Sequence, residues 1–364
     1  MLRKGTFILM KTKIQDMTSG SPGRLIILFA IPLMLGNICQ QLYTMVDTMV
    51  VGQVAGVEAL AALGAVDFLM WVVTGISTGL TQGFSIQLSQ YYGAKDFENL
   101  RKSLAHSYRL TAFIAIGVFI LSQSFASVVL TGLHTPSNII GMSLLYLRII
   151  FCGIPATAAY NMFASALRAM GNSKTPLTAM IIASVLNVSL DILFVAGFGW
   201  GVAGAAIATV IAQSFSAVYC FLILRRIDIV HLTRADFMPA SGMNARLMKL
   251  GIPVVFQNII IGVGGLVVQY VINGYGFLFV AGFTATNKLY GLLEMAAISY
   301  GYAIVTYVGQ NLGAGKIDRI RKGVRSSMLL SLLTSLIISA AMFLFGKNIL
   351  SLFISGEPQQ TQQV

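Results

Sequence analysis

Nine long apolar segments decide what this chain can become. They run over 25–47, 58–84, 104–130, 141–164, 176–197, 202–224, 249–273, 278–309 and 325–354, with ends good to about four residues. Each is about the 20 or so apolar residues that a helix needs to cross the hydrocarbon core. Hydrophobic types make up 56% of the 364 residues, charged types only 10%, and mean hydropathy is +0.81. A soluble domain is about a quarter charged, so this chain cannot clothe a water-facing surface. The apolar stretches are unbroken and do not alternate with period two, which argues against a β-barrel. The expected fold class is an all-α polytopic membrane protein with about nine transmembrane helices.

The placement of charge supports that count. Arg3, Lys4, Lys11, Lys13 and Arg24 precede or open the first span. Lys95, Arg101, Lys102 and Arg109 lie at the turn from the second span to the third, and Arg168 and Lys174 between the fourth and fifth. Arg225, Arg226, Arg234, Arg246 and Lys249 separate the sixth from the seventh; Lys316, Arg319, Arg321, Lys322 and Arg325 separate the eighth from the ninth. All but three of the 24 Lys and Arg thus fall on one side. The loops after the first, third, fifth and seventh spans hold none. Such a bias puts the N-terminus and the basic loops in the cytoplasm. It also accounts for the net charge of +12 without nucleic acid as a partner. No removable signal peptide is read at the N-terminus. Cys39, Cys152 and Cys220 sit in apolar stretches without CxxC spacing and read as small core residues. His106, His134 and His231 read as loop residues with no partner at metal-ligand spacing.

The chain repeats itself. Gly93-Ala94-Lys95-Asp96-Phe97 through Arg101-Lys102 matches Gly313-Ala314-Gly315-Lys316-Ile317 through Arg321-Lys322 at an offset of 220, and Gln90 matches Gln310 at the same offset. Ala30-Ile31-Pro32 with Asn37 matches Gly251-Ile252-Pro253 with Asn258 at 221. Each unit holds six spans, an even number, so the copies are parallel and related by an axis along the membrane normal. The expected domains are a complete N-lobe of six helices over 1–235 and a partial C-lobe of three over 236–364. Three spans of the second copy are expected to be missing, as in a truncated product.

Acidic residues inside spans are informative, because an ionisable group at the bilayer centre costs about 2.5–3.5 kcal/mol on insertion scales. Asp191 follows Asn187 by four residues, so both face one side of a helix. A carboxylate and an amide oxygen on one stripe are hard oxygen ligands, suited to Na+ or to a proton that comes and goes. Asp47 lies late in the first span, one turn after Tyr43 and two after Gln40, and Thr209 in the sixth span adds a hydroxyl. Glu294 in the eighth span, with Lys288 on another face, is a weaker candidate for holding a cationic substrate. Asp67, nearer the start of its span, reads as an interface residue. Arg148 reads as snorkelling or pairing with a carboxylate. Pro32, Pro155 and Pro253 are expected to kink helices. Polar residues that merely join helices are the plainer alternative.

Several stretches resemble one family in order. Ser19-Gly20-Ser21-Pro22 through Ala30-Ile31-Pro32, then Gln41 to Thr48 and Val51-Gly52, resemble the opening of the multidrug and toxic compound extrusion (MATE) transporters. Gly153-Ile154-Pro155 with Leu167-Arg168-Ala169-Met170-Gly171-Asn172-Ser173-Lys174-Thr175-Pro176 resembles that family's fourth-span signature, and Val308 to Gly315 its loop after the eighth span. The likeness covers about residues 18–356 and lacks spans ten to twelve. It implies twelve helices in two lobes, residence in the plasma (inner) membrane, and export of small organic cations driven by inward Na+ or H+, with no enzyme activity and no other cofactor. It maps the family's N-lobe cation site onto Asp47, Asn187, Asp191 and Thr209; Gln40, Tyr43 and Glu294 are the candidate substrate-pocket residues. Two other readings stand beside it. A flippase for lipid-linked precursors would want a basic cavity, and an inactive remnant or accessory membrane protein would transport nothing. No HExxH, P-loop or GxSxG points to an enzyme.

Overall fold

The computed structural model describes residues 14–133, 135–273 and 277–350. Arg3, Lys4, Lys11, Lys13, His134 and the polar tail 356–364 lie outside them, as does the side chain of Lys288. Among the described residues all regular structure is helical: α1 (Pro22–Val54), α2 (Val57–Gly93), α3 (Phe97–Gly132), α4 (Ile140–Cys152), α5 (Ile154–Ala169), α6 (Lys174–Asp191), α7 (Gly201–Leu224), α8 (Met243–Asn273), α9 (Phe277–Gly313) and α10 (Ile317–Leu350). Seven are long and apolar enough to cross a membrane, and α4 with α5 makes an eighth, bent by 45°. The bend sits at Gly153, ahead of Pro155, which has no N–H to continue the helix. A Cβ on Gly153 would lie 2.7 Å from Val210 Cγ2, so only glycine lets the corner meet α7. α9 occupies the expected eighth span.

Local chemistry sets the ends. Pro22 opens α1, where a missing N–H costs nothing. Asp96 caps α3, accepting from the Asn99 N–H at 3.1 Å. The turn before α3 passes through Lys95 at φ 58, and the turn before α10 through Gly315 at φ 70, the repeat-equivalent position. The same left-handed turn recurs in both copies, although one copy must hold a lysine in it. His106 is not a loop residue: it lies in α3, buried, with Nδ1 2.7 Å from Asn244 Oδ1 and Nε2 3.1 Å from the Met238 carbonyl. Arg148 is exposed on α4.

The two copies meet along α1, α2, α8 and α9. Asn37 on α1 donates to Ser299 Oγ on α9 at 3.1 Å; its repeat mate Asn258 on α8 donates to the Gly75 carbonyl on α2 at 3.1 Å. Cβ atoms placed on Gly93 and Gly313 would lie 1.9 Å from the carbonyl oxygens of Gln310 and Gln90 respectively, a reciprocal backbone contact between α2 and α9. Phe29 and Leu33 pack with Tyr300 and Tyr307 beside it. The Asn258–Gly75 bond lies at the middle of its two helices, and the other contacts fall in the halves nearer the basic loops.

A strap locks that end. Met17, fully buried, donates its N–H to Gln310 Oε1 at 3.0 Å, while Gln310 Nε2 reaches the Ala169 carbonyl at 2.8 Å. Asn311 and Arg319 both donate to the Met17 carbonyl, and Arg319 also reaches Gly20. The segment before α1 is thus clamped between the first copy's α5–α6 turn and the second copy's α9–α10 turn.

Candidate functional site

At the other end, α1, α6 and α7 bring polar side chains together inside the first copy. Asp47 is 5% exposed, and Asn187 and Asp191 are fully buried. Asn187 and Asp191 share one face of α6, as their spacing requires. Directly after Asp191 the helix widens into a π-helical stretch, Ile192–Gly197, a form concentrated at functional sites. Thr209 on α7 completes the approach: Asn187 Nδ2 donates to its Oγ1 at 3.4 Å. One turn on, Gln213 Nε2 donates to the buried Tyr43 hydroxyl at 3.2 Å, and Gln40, a turn before Tyr43 on α1, is exposed.

These bonds leave a particular residue of unmet need. Asp47 Oδ1, Asn187 Oδ1, both carboxylate oxygens of Asp191 and Gln213 Oε1 are buried without a hydrogen-bond partner among the described residues. Asp47 and Asp191 lie close enough for their charges to act on each other, and both act on the hydroxyls of Tyr43 and Tyr146. Each unsatisfied buried acceptor costs about 1–3 kcal/mol, and charged ones cost more. Both amides spend their N–H groups on neighbouring hydroxyls, so what remains to each is an oxygen. Among the described residues no three His, Cys, Asp or Glu gather as a metal cluster. The donor set is instead two carboxylates with neutral amide and hydroxyl oxygens. That set suits a hard monovalent cation or a proton, and it excludes soft-metal chemistry.

Asp47 also faces a cleft of about 570 Å³, whose walls include Gln41, Thr44, Asp67, Trp71 and Tyr146. Asp67, expected at an interface, stands in the same cleft as Asp47. Glu294 is exposed on α9 and forms no bond with the buried cluster. Gln213 was not anticipated from the sequence. Its signal is the four-residue spacing from Thr209, a polar pair on an otherwise apolar helix.

A family model described as MatE matches residues 32–193 and 253–359, two segments that begin at the repeat-equivalent Pro32 and Pro253. The chain belongs to the MatE family. A probable multidrug resistance protein, YpnP of Bacillus subtilis (strain 168), is 31% identical to this MatE chain over 343 residues, covering 94% of it and 77% of the relative. YoeA of the same organism, also a probable multidrug resistance protein, is 28% identical over 349 residues, covering 94% and 75%. Among solved structures, a MOP superfamily transporter from Pyrococcus furiosus superposes with a TM-score of 0.90 at 23% identity, covering 97% of this chain and 78% of that one. This MatE chain is therefore a multi-pass membrane protein of a multidrug-efflux family, and the relatives it matches are transporters, not enzymes.

Proposed function

We propose that the chain is a cation-coupled antiporter that exports small organic cations across the plasma membrane. Its N-lobe (1–235) holds the coupling ion, Na+ or H+, at Asp47, Asn187, Asp191 and Thr209, with Gln213 as a further ligand. Residues 236–364 form the facing part of the C-lobe, and the N-terminus and basic loops face the cytoplasm. The observation that carries this reading is the set of buried oxygens without partners shared by three helices. A bilayer-depth acid with no bond to make is costly unless something fills the gap, and a monovalent cation fills it. The acidic character of the site also speaks against a lipid-phosphate flippase.

Two geometric features support coupling. The copies are sealed at the basic end and the cleft lies toward the other, so this conformation opens outward. Asp47 touches both the ion cluster and the cleft, so an ion and an organic cation compete for one carboxylate. Coupling follows if the ion favours one conformation over the other. The test is uptake of a fluorescent organic cation into vesicles holding the reconstituted chain, under an imposed Na+ or pH gradient. Asp47→Asn and Asp191→Asn should each lower gradient-driven transport more than about tenfold, and the gradient that works identifies the ion. Undiminished transport by both variants would remove the mechanism.

A further inference from the structure

On the outer side of the first copy, α3 and α5 enclose an apolar groove with the last turn of α7. Its volume is about 330 Å³. α5 packs on both α3 and α7 and forms the floor, with Pro155, Ala158, Ala159 and Met162. The floor starts at the 45° corner between α4 and α5, just after Gly153. Ala112, Ala115 and Ile116 of α3 make one wall. Three rings close the end nearer the basic loops: Tyr108 meets Phe163 edge-on at 5.3 Å, and Phe163 lies 5.2 Å from Phe221 of α7. From Tyr108 to Ile116 the groove follows α3 for roughly 12 Å. Ala112 and Ile116 are exposed along its mouth, as is Phe113 beside it, so it faces lipid.

Two arginines stand just beyond the ringed end. Arg225 follows Phe221 by four residues and Arg109 precedes Ala112 by three, so each continues a helix face that lines the groove. Both are exposed. The Arg225 side chain makes no ion pair or hydrogen bond among the described residues. Arg109 spends one N–H on the Phe237 carbonyl at 2.9 Å and keeps the rest of its fork. That bond brings Phe237 and Met238, 38% and 65% exposed, to the same rim. An exposed ring and thioether beside an arginine suit a membrane interface, not water. No Asp or Glu lines the groove. Among the described residues Asp236 is committed to Arg101 and Thr233, and the exposed Asp228 pairs with neither rim arginine.

We propose that this groove is a binding site for an anionic diacyl phospholipid, with one acyl chain along α5 and the phosphate at Arg109 and Arg225. The groove by itself would take any apolar chain; the arginines choose the head. Guanidinium forks match phosphate oxygens, and basic side chains at the bilayer surface favour anionic lipid. The same charges repel an organic cation, so the groove does not serve the exported substrate. It shares no residue with the cleft beside Asp47, and the inference stands apart from the cation-export reading.

The test is native mass spectrometry of the purified chain in detergent. The probes are dioleoylphosphatidylglycerol, dioleoylphosphatidylcholine and the water-soluble headgroup glycerophosphoglycerol. Phosphatidylglycerol should bind at least about tenfold more tightly than phosphatidylcholine, and the soluble headgroup far more weakly than either. Arg109→Gln and Arg225→Gln should each weaken phosphatidylglycerol binding by about fivefold. Arg226→Gln, one position off the groove-lining face, should leave it nearly unchanged. Ala112→Phe, at an exposed position, plugs the groove with a ring and should remove the tight binding. Equal binding of the two lipids, a soluble headgroup as tight as the lipid, an Arg226→Gln loss equal to that of Arg225→Gln, or full binding by Ala112→Phe would each overturn the assignment. Should the variants not yield folded protein, photolabelling of the unaltered chain decides alone. A phosphatidylglycerol with a diazirine midway along one chain should label α3 and α5 around Ala112 and Ala159; label spread evenly over the outer helices sinks the proposal.

Discussion

The seam between the two copies has two unlike halves built on the same helices. In the basic-end half, glycines bring backbones into contact. A Cβ on Gly83 would lie 2.3 Å from Gly251 Cα, one on Gly79 2.9 Å from Val255, and Gly93 and Gly313 meet the carbonyls of Gln310 and Gln90. Arg168 covers the Tyr302 ring at 4.6 Å, and the strap around Met17 threads the gap. In the other half, Gly64 on α2 and Gly264 and Gly265 on α8 have nothing among the described residues within 4 Å of a Cβ, and Asp47 and Asp67 face a cleft. Small residues drive close helix packing in a membrane, where burying apolar surface gains little. Glycine alone, however, does not make a seam. It does so only where a partner backbone arrives, and here both copies deliver one at equivalent positions. One end is zipped by backbone contact and the other is left free to admit charge.

The contrast breaks most sharply at the reciprocal glycines. Gly93→Ala and Gly313→Ala each force a methyl into a facing carbonyl oxygen. The α2–α9 crossing must then spread, at a cost of about 3 kcal/mol, the upper end of ordinary overpacking. Each variant in detergent should melt well below the unaltered chain, and by similar amounts, because the two contacts are mirror images in the duplication. A melt unchanged in both would mean that the basic end is not held shut by this crossing.

A smaller loss is expected from Gln310→Ala. It strands the Met17 N–H and the Ala169 carbonyl, two buried backbone groups, for about 2 kcal/mol or more in total. Hydrogen exchange locates the damage. The Met17 amide should lose its protection while amides around Asp191 keep theirs. If Met17 remains protected, the strap is held by Asn311 and Arg319 without the glutamine.

Much of this was legible in the sequence, for identifiable reasons. Nine apolar runs and one-sided basic loops give the helices, because the bilayer penalises any other arrangement of backbone and charge. Asp47, Asn187 and Asp191 stand out because an acid within an apolar run is costly, and the structure brings them together with Thr209. Gln213 escaped notice because a neutral amide costs little, and its link to Tyr43 crosses 170 residues of chain. Asp67 lines the same cleft as Asp47, a neighbourhood that position along a single span does not reveal. The strap at 14–20 carries no periodicity at all, so nothing but the fold reveals that Met17 is buried. His106 went the same way, since its partners Asn244 and Met238 lie beyond 130 residues of intervening chain.

The least expected effect tests the open half directly. Gly264→Ala on α8 adds a methyl where no atom of the described residues lies within 4 Å. With no clash, only the backbone term remains, and alanine is preferred to glycine inside a helix by roughly 0.5–1 kcal/mol. The variant should melt at or slightly above the temperature of the unaltered chain and transport organic cations as before. Gly83→Ala, in the zipped half, makes the matched control, since the same methyl there meets the backbone of Gly251. If Gly264→Ala proved as damaging as Gly83→Ala, the far half of α8 would have to close on a partner helix in the membrane. The division between a sealed end and an open one would then describe a single conformation, with α8 packing along its whole length in the other.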